Sequence, residues 1–187
     1  MRTKMERYLI EHCAPTLAAL KTGSLFTVPC ISKTEAMQKV EELREGLGVK
    51  GISIIILRIH NEKALVYLYR EDMLKQDWKQ SGTAEFLSRY GYESTDIDYA
   101  VGRLKERLYK CDCFPHEIGL FLGYPLGDVI GFIENAGKNC KCAGCWKVYC
   151  NECETRKRFE QFRKCRKIYS KLWSQGRYSL RQLAVAT

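Results

Sequence analysis

The sequence predicts an α+β fold, a single domain in which a small, mainly antiparallel sheet packs with several helices. Three observations carry that expectation. Ser32-x-x-Glu35 is a capping box, and it opens a stretch with Ala36, Val40, Leu43 and Leu47 on one helical face. Residues 52–59 and 64–69 are β-branched or aromatic runs joined by the polar loop His60-Asn61-Glu62-Lys63, the pattern of an antiparallel hairpin. Helical periodicity then returns, with Ile97, Val101, Leu104 and Leu108 spaced four, three and four apart.

Taken in order, residues 3–12 and 14–20 read as two helical segments, with Pro15 suited to the first turn of the second. The capping-box helix closes at Gly48. Residues 52–57 show little alternation, so both faces of that strand are expected to be covered, with both hairpin strands near the middle of the sheet. Residues 71–78 and 83–90 are helical. Pro115 opens a helix running to Leu122, Gly123-Tyr124 breaks it, and Pro125 opens another carrying Val129, Phe132 and Ile133. Residues 146–149 form a short strand. Residues 155–173 make a long basic helix with Phe159, Phe162, Tyr169 and Leu172 on one side, inside a basic C-terminal segment of about residues 154–187.

At 187 residues the chain can bury one sizeable core without staples. Its longest apolar run, residues 52–57, is too short to cross a bilayer, and residues 1–10 lack the apolar stretch of a signal peptide. The expectation is a cytoplasmic protein without a transmembrane segment. Its ten cysteines are then thiols or metal ligands rather than disulfides. Charge is uneven, with 18 Lys/Arg against 19 Asp/Glu as far as Gly137 and 13 against 3 from Lys138 onward. Such a basic end marks either a solvated helix or a face for an anionic partner. The residues that would make that contact, with nucleic acid or an acidic protein, are Arg156, Lys157, Arg158, Arg163, Lys164, Arg166, Lys167 and Lys171, with Trp173 and Tyr178 near for stacking.

The string Gly46-x-Gly48-x-x-Gly51 matches a dinucleotide fingerprint, but it falls where a helix ends and a strand begins, so a phosphate there would meet carbonyls. A helix-turn-helix reading of residues 115–135 fails because the second helix has no basic residue to read bases. The cysteines are more informative. Cys142-x2-Cys145 and Cys150-x2-Cys153, with Cys140 beside them, resemble two zinc knuckles, while Cys145-x4-Cys150-x2-Cys153 has an iron–sulfur spacing. Cys111, Cys113 and Cys165 flank the cluster. If residues 146–149 are extended, about 16 Å separates Cys145 from Cys150, which opposes one shared metal and leaves redox-sensitive thiols as the other reading. His116 and Glu117 form a second candidate. A near-neutral imidazole beside a carboxylate, in reach of Cys13, would make a general base for a thiolate or one arm of a metal site; otherwise Glu117 serves the helix dipole and Cys13 packs.

The run Phe114-Pro115-His116-Glu117-Ile118-Gly119-Leu120-Phe121-Leu122-Gly123-Tyr124-Pro125 resembles the signature of a family of small bacterial proteins, common in anaerobes, known only as a domain of unknown function. Other matching pieces are residues 12–18 with Lys21 and Leu25-Phe26, Leu68-Tyr69-Arg70, Gly91-Tyr92, Asp128-Val129 with Gly131-Phe132, and Trp146-Lys147-Val148-Tyr149. The resemblance spans about Cys13 to Tyr169. It implies one compact domain, and it makes Cys13, His116 and Glu117, with Cys165, a set shared across the family. The family usually has the Trp-Lys-Val-Tyr core without the surrounding cysteines, so a metal would be particular to this chain. Two functional expectations result: a thiol- or metal-linked protein, enzyme or accessory, in the redox or metal metabolism of an anaerobe, or a non-catalytic module binding through its basic helix.

Overall fold

The computed structural model describes residues 3–110 and 114–186. The first helix, α1 (Lys4–Leu17), begins with a capping box in which the Thr3 hydroxyl accepts from the Glu6 amide and the Glu6 carboxylate accepts from the Thr3 amide. It is continuous through Pro15, where two segments were expected. The proline sits in the last turn, and the buried row Leu9, Ile10, Cys13, Ala14 and Leu17 holds the helix together across it.

The chain then forms β1 (Gly23–Pro29), α2 (Lys33–Gly48), β2 (Ile52–His60) and β3 (Lys63–Arg70). Ser32 caps α2 as its sequence signals, accepting from the Glu35 amide. The three strands form an antiparallel sheet in the order β1-β3-β2. Strand β1 was not foreseen. It pairs with β3 from Gly23 opposite Tyr69 to Pro29 opposite Lys63, which makes β3 central and β2 an edge. The apolar run of β2 therefore has another cause than a central position: α2 covers one of its faces and α5 (Ile97–Lys110) the other. At a register shift in β2, the Arg58 guanidinium donates to the Leu108 carbonyl of α5 at 3.0 Å.

Alternation along β3 divides the interior in two. Ala64, Val66 and Leu68 face a core built with α1, α2 and the chain's end, whereas Tyr67 and Tyr69 face a second core containing Leu74, Trp78, Leu104 and Phe121. The second core is assembled by α3 (Glu71–Trp78), α4 (Thr83–Ser88), α5, α6 (Ile118–Phe121) and α7 (Leu126–Glu134). Helix α6 is shorter than the segment expected from Pro115 to Leu122: residues 116–117 form a turn before it, and Gly123 at φ +74° turns the chain sharply toward α7 after it. Phe121 is fully buried, with Trp78 edge-on at 4.8 Å, a burial worth about 2–3 kcal/mol.

A small hairpin, β4 (Cys142–Ala143) with β5 (Lys147–Val148), precedes the long helix α8 (Glu152–Ser174), which packs along α1. The short helix α9 (Leu180–Leu183) follows, opened by a capping box at Ser179. The end of the chain is tied back through Arg70. This buried guanidinium donates to the carbonyls of Thr16 and Leu17 at the C-terminus of α1, of Lys50 before β2, and of Val185. One side chain thus satisfies helix-end carbonyls that have no donor within α1. No described helix is long and apolar enough to cross a membrane.

Candidate functional site

The site lies where α6, α7, the hairpin and the inward face of α8 meet β1. Asp128, in the first turn of α7, organises it. The side chain is only 1% exposed, and its two oxygens accept from the Trp146 indole at 2.8 Å, the Tyr149 amide at 2.7 Å, and both the amide and the thiol of Cys150 at 2.9 Å. Burial alone would raise its pKa, but these donors together hold it below the ordinary carboxylate value. The close approach of α7 to this segment depends on Gly131, where a Cβ would lie 2.5 Å from the Tyr149 ring.

With Asp128 fixing its N–H, the Trp146 indole stacks on Tyr124 at 4.6 Å and meets the edge of Phe159 at 4.6 Å, and the Arg158 guanidinium lies over it at 5.7 Å. Beside this stack opens a cavity of about 380 Å³ walled by Phe114, His116, Leu122, Phe132, Cys145 and Trp146 among others. A second cavity of about 180 Å³ adjoins it, sharing Leu25, Leu122, Tyr124 and Cys145, and adds His12, Lys21, Ser24 and Arg166. Cys145 stands at the junction. Its sulfur accepts a hydrogen bond from Arg166 Nη2 at 3.1 Å.

Lys21 closes the smaller cavity. It is 8% exposed, donates to the Gly23 carbonyl, and lies 5.2 Å from the centre of the Tyr124 ring. Among the described residues no carboxylate is within ion-pair range of it. The nearby acid Asp77 accepts from Thr22 and faces Arg158 instead. Burial pulls Lys21 down to about 8; the thiols of Cys13 and Cys145 act in the opposite direction, and Arg166 and Arg158 add to the decrease.

The family model described as Protein of unknown function (DUF3793) matches residues 9–184. The chain belongs to the DUF3793 family. No curated protein and no solved structure matches it. The match reaches beyond the span of the sequence resemblance to include α9, whose segment Arg70 ties to α1.

In this DUF3793 protein the expected set of Cys13, His116 and Glu117 is not brought together. Cys13 is fully buried in the core beneath α1, and burial pushes its thiol up to about 12. Glu117 is buried on the other side of the sheet, ion-paired with Arg107 and accepting from Tyr92, a structural role for which its place at the start of α6 gave no signal. His116 is exposed at the rim of the larger cavity, its ring edge-on to Phe132 at 4.9 Å. Cys165 is buried, and its thiol is raised to about 11 for that reason.

The cysteine cluster is dispersed too. Among the described residues no three His, Cys, Asp or Glu side chains gather to hold a metal ion. Cys150 donates to Asp128, Cys145 faces Arg166, Cys140 and Cys142 lie half-buried along the hairpin segment, and Cys153 is exposed on α8. Cys111 and Cys113 lie outside the described residues. The eight basic residues of α8 divide between two faces. Arg158 and Arg166 turn inward to the site, whereas Arg156, Lys157, Arg163, Lys164, Lys167 and Lys171 are exposed, with Arg156 and Arg163 paired to Glu152 and Glu160 on the same helix. Trp173 packs against the first core. Sequence reasoning assigned no role to Lys21, Tyr124, Asp128 or Trp146. The available signal was Asp128 as the one acid early in an otherwise apolar helix, and Lys21 as a lone lysine between two apolar segments.

Proposed function

We propose that this protein is a thiol-linked small-molecule-binding protein of the reducing cytoplasm, with Cys145 as its reactive group. One observation carries the reading: the Cys145 sulfur stands at the junction of two cavities within hydrogen-bond reach of Arg166. Sulfur is the nucleophilic atom of this site, and the guanidinium that donates to it holds it at the junction. The aromatic wall of the larger cavity gives a bound molecule an apolar surface next to that sulfur. His116, at the rim, is placed to hydrogen-bond a ligand rather than Cys13.

The test is residue-resolved alkylation by mass spectrometry on the native, reduced protein. Cys145 is expected to react faster than Cys153, which is exposed on α8 and serves as the internal standard. A Cys145 that reacts no faster than Cys153 would sink the reading.

The outer row of α8 supports a second reading, contact with a polyanion. Lys157, Lys164, Lys167 and Lys171 are all exposed there. Retention on single-stranded nucleic acid should then fall steeply with salt and disappear when Lys164 and Lys167 are replaced by Glu.

A further inference from the structure

The paired cavities have a polarity that the thiol alone does not explain. The larger is walled mostly by aromatic and aliphatic side chains, Phe114, Leu122, Tyr124, Phe132 and Trp146 prominent among them, with His116 at its rim and Lys147 turned to the Gly137 carbonyl. Its one carboxylate, Asp128, has both oxygens occupied by the four donors of the Trp146–Cys150 segment. The smaller cavity has no carboxylate in its wall and carries Lys21 and Arg166. Positive charge, buried at Lys21 and half-buried at Arg166 and facing no carboxylate among the described residues, thus stands at one end of a largely apolar chamber.

We infer that the two cavities bind one amphipathic anion, its apolar body in the larger chamber and its carboxylate or phosphate head against Lys21 and Arg166. This assignment rests on the same groove as the thiol reading and names the class of molecule that enters it. An anionic head would give the buried Lys21 a charge partner that no described carboxylate provides, and charge-assisted hydrogen bonds are the strong kind. The planar Arg166 fork suits a carboxylate or phosphate, and it leaves the head beside the Cys145 sulfur. The aromatic walls exclude water from the body of the ligand, and the larger chamber alone falls within the usual range for small-molecule sites.

Isothermal titration calorimetry on the full chain tests this with four probes: decanoate, decyl phosphate, decanol and inorganic phosphate. Decanoate or decyl phosphate should bind at least about tenfold more tightly than decanol and than inorganic phosphate, and whichever of the two binds better identifies the head group. Lys21→Met and Arg166→Gln should each weaken that binding by about tenfold or more. The second variant alters a partly exposed residue and keeps the test informative should the first perturb folding. Bound decanoate should also protect Cys145 from alkylation. Equal binding of decanol and decanoate would overturn the inference, as would binding of inorganic phosphate alone, or no binding of either amphiphile. The two readings separate because alkylation of Cys145 is followed on the protein without ligand and anion binding by calorimetry, so that either can fail alone. Reactive Cys145 with no anion binding removes this inference and spares the thiol reading; anion binding with an unreactive Cys145 does the reverse.

Discussion

Cys13 and Cys145 both act on the same lysine, yet they are opposite kinds of thiol. Cys13 projects from the C-terminal half of α1 into a closed core, with Lys21 and Ser24 near it and burial outweighing both. Cys145 lies in the turn of a two-stranded hairpin, half-buried between two cavities, with Arg166 donating to it. The difference teaches that a cation beside a sulfur is not enough. Access and hydration decide whether the thiolate can form and whether anything can reach it.

The largest expected effect tests that contrast directly. With its thiol at about 12, Cys13 is ionised at pH 7 to roughly one part in 10⁵ and is shut away from reagent. Native-state alkylation followed by peptide mass spectrometry should find Cys145 modified at least about 1,000-fold faster than Cys13. Comparable rates would mean that the core beneath α1 opens readily, and the comparison would collapse.

Next in size is Asp128→Asn. An amide cannot accept from the Trp146 indole, the Tyr149 and Cys150 amides and the Cys150 thiol together, and the lost charge weakens each remaining bond. Urea unfolding should show a loss of about 3 kcal/mol. A change within about 0.5 kcal/mol would deny Asp128 its organising role.

Lys21→Met should stabilise the protein at pH 7, by about 2 kcal/mol, because it removes a desolvated cation. The pH dependence follows from the direction of each shift. Between about 8 and 10.5 the unfolded chain keeps a Lys21 proton that the folded chain has released, so this group makes stability rise with pH across that window. Cys13 acts with the other sign: the unfolded thiol loses its proton from about 9 while the folded one holds it to about 12, so stability falls above 9. Thermal melts of Lys21→Met should therefore lose the rise between pH 8 and 9 and show from pH 9 to 10.5 a fall that Lys21 offsets in the parent protein. The smallest effect expected is that of Arg166→Gln, which removes one hydrogen bond to the Cys145 sulfur from a half-buried residue and should lower the melting temperature by no more than about 2 °C.

Much of the scaffold was legible because its causes are local. Ser32 and Glu35 close a capping box within one turn, the 60–63 loop joins two β-favouring runs, and the apolar spacing of α5 lies on one helix. Strand β1 was not, since Gly23–Pro29 ends in proline and becomes a strand by pairing with β3 from the far side of α2. The break expected at Pro15 failed for a related reason: the buried row of α1 is held by packing against distant segments, and the carbonyls at its end find their donor in Arg70, more than fifty residues away. Cys145 and Arg166 were both named in the sequence as candidates, but for a metal and for a polyanion. Their partnership, with Lys21 behind them, spans three separate elements.

By itself the sequence determined the α+β class, the hairpin, the helices with complete caps and the family, because propensity, capping and alternation act over a few residues. The tertiary structure alone decided which thiols are sealed and which is open, which arginines of α8 turn inward, and that an acid in α7 fixes a tryptophan eighteen residues on. Those outcomes depend on burial and on donors brought from distant segments, and periodicity carries no record of which surfaces will meet.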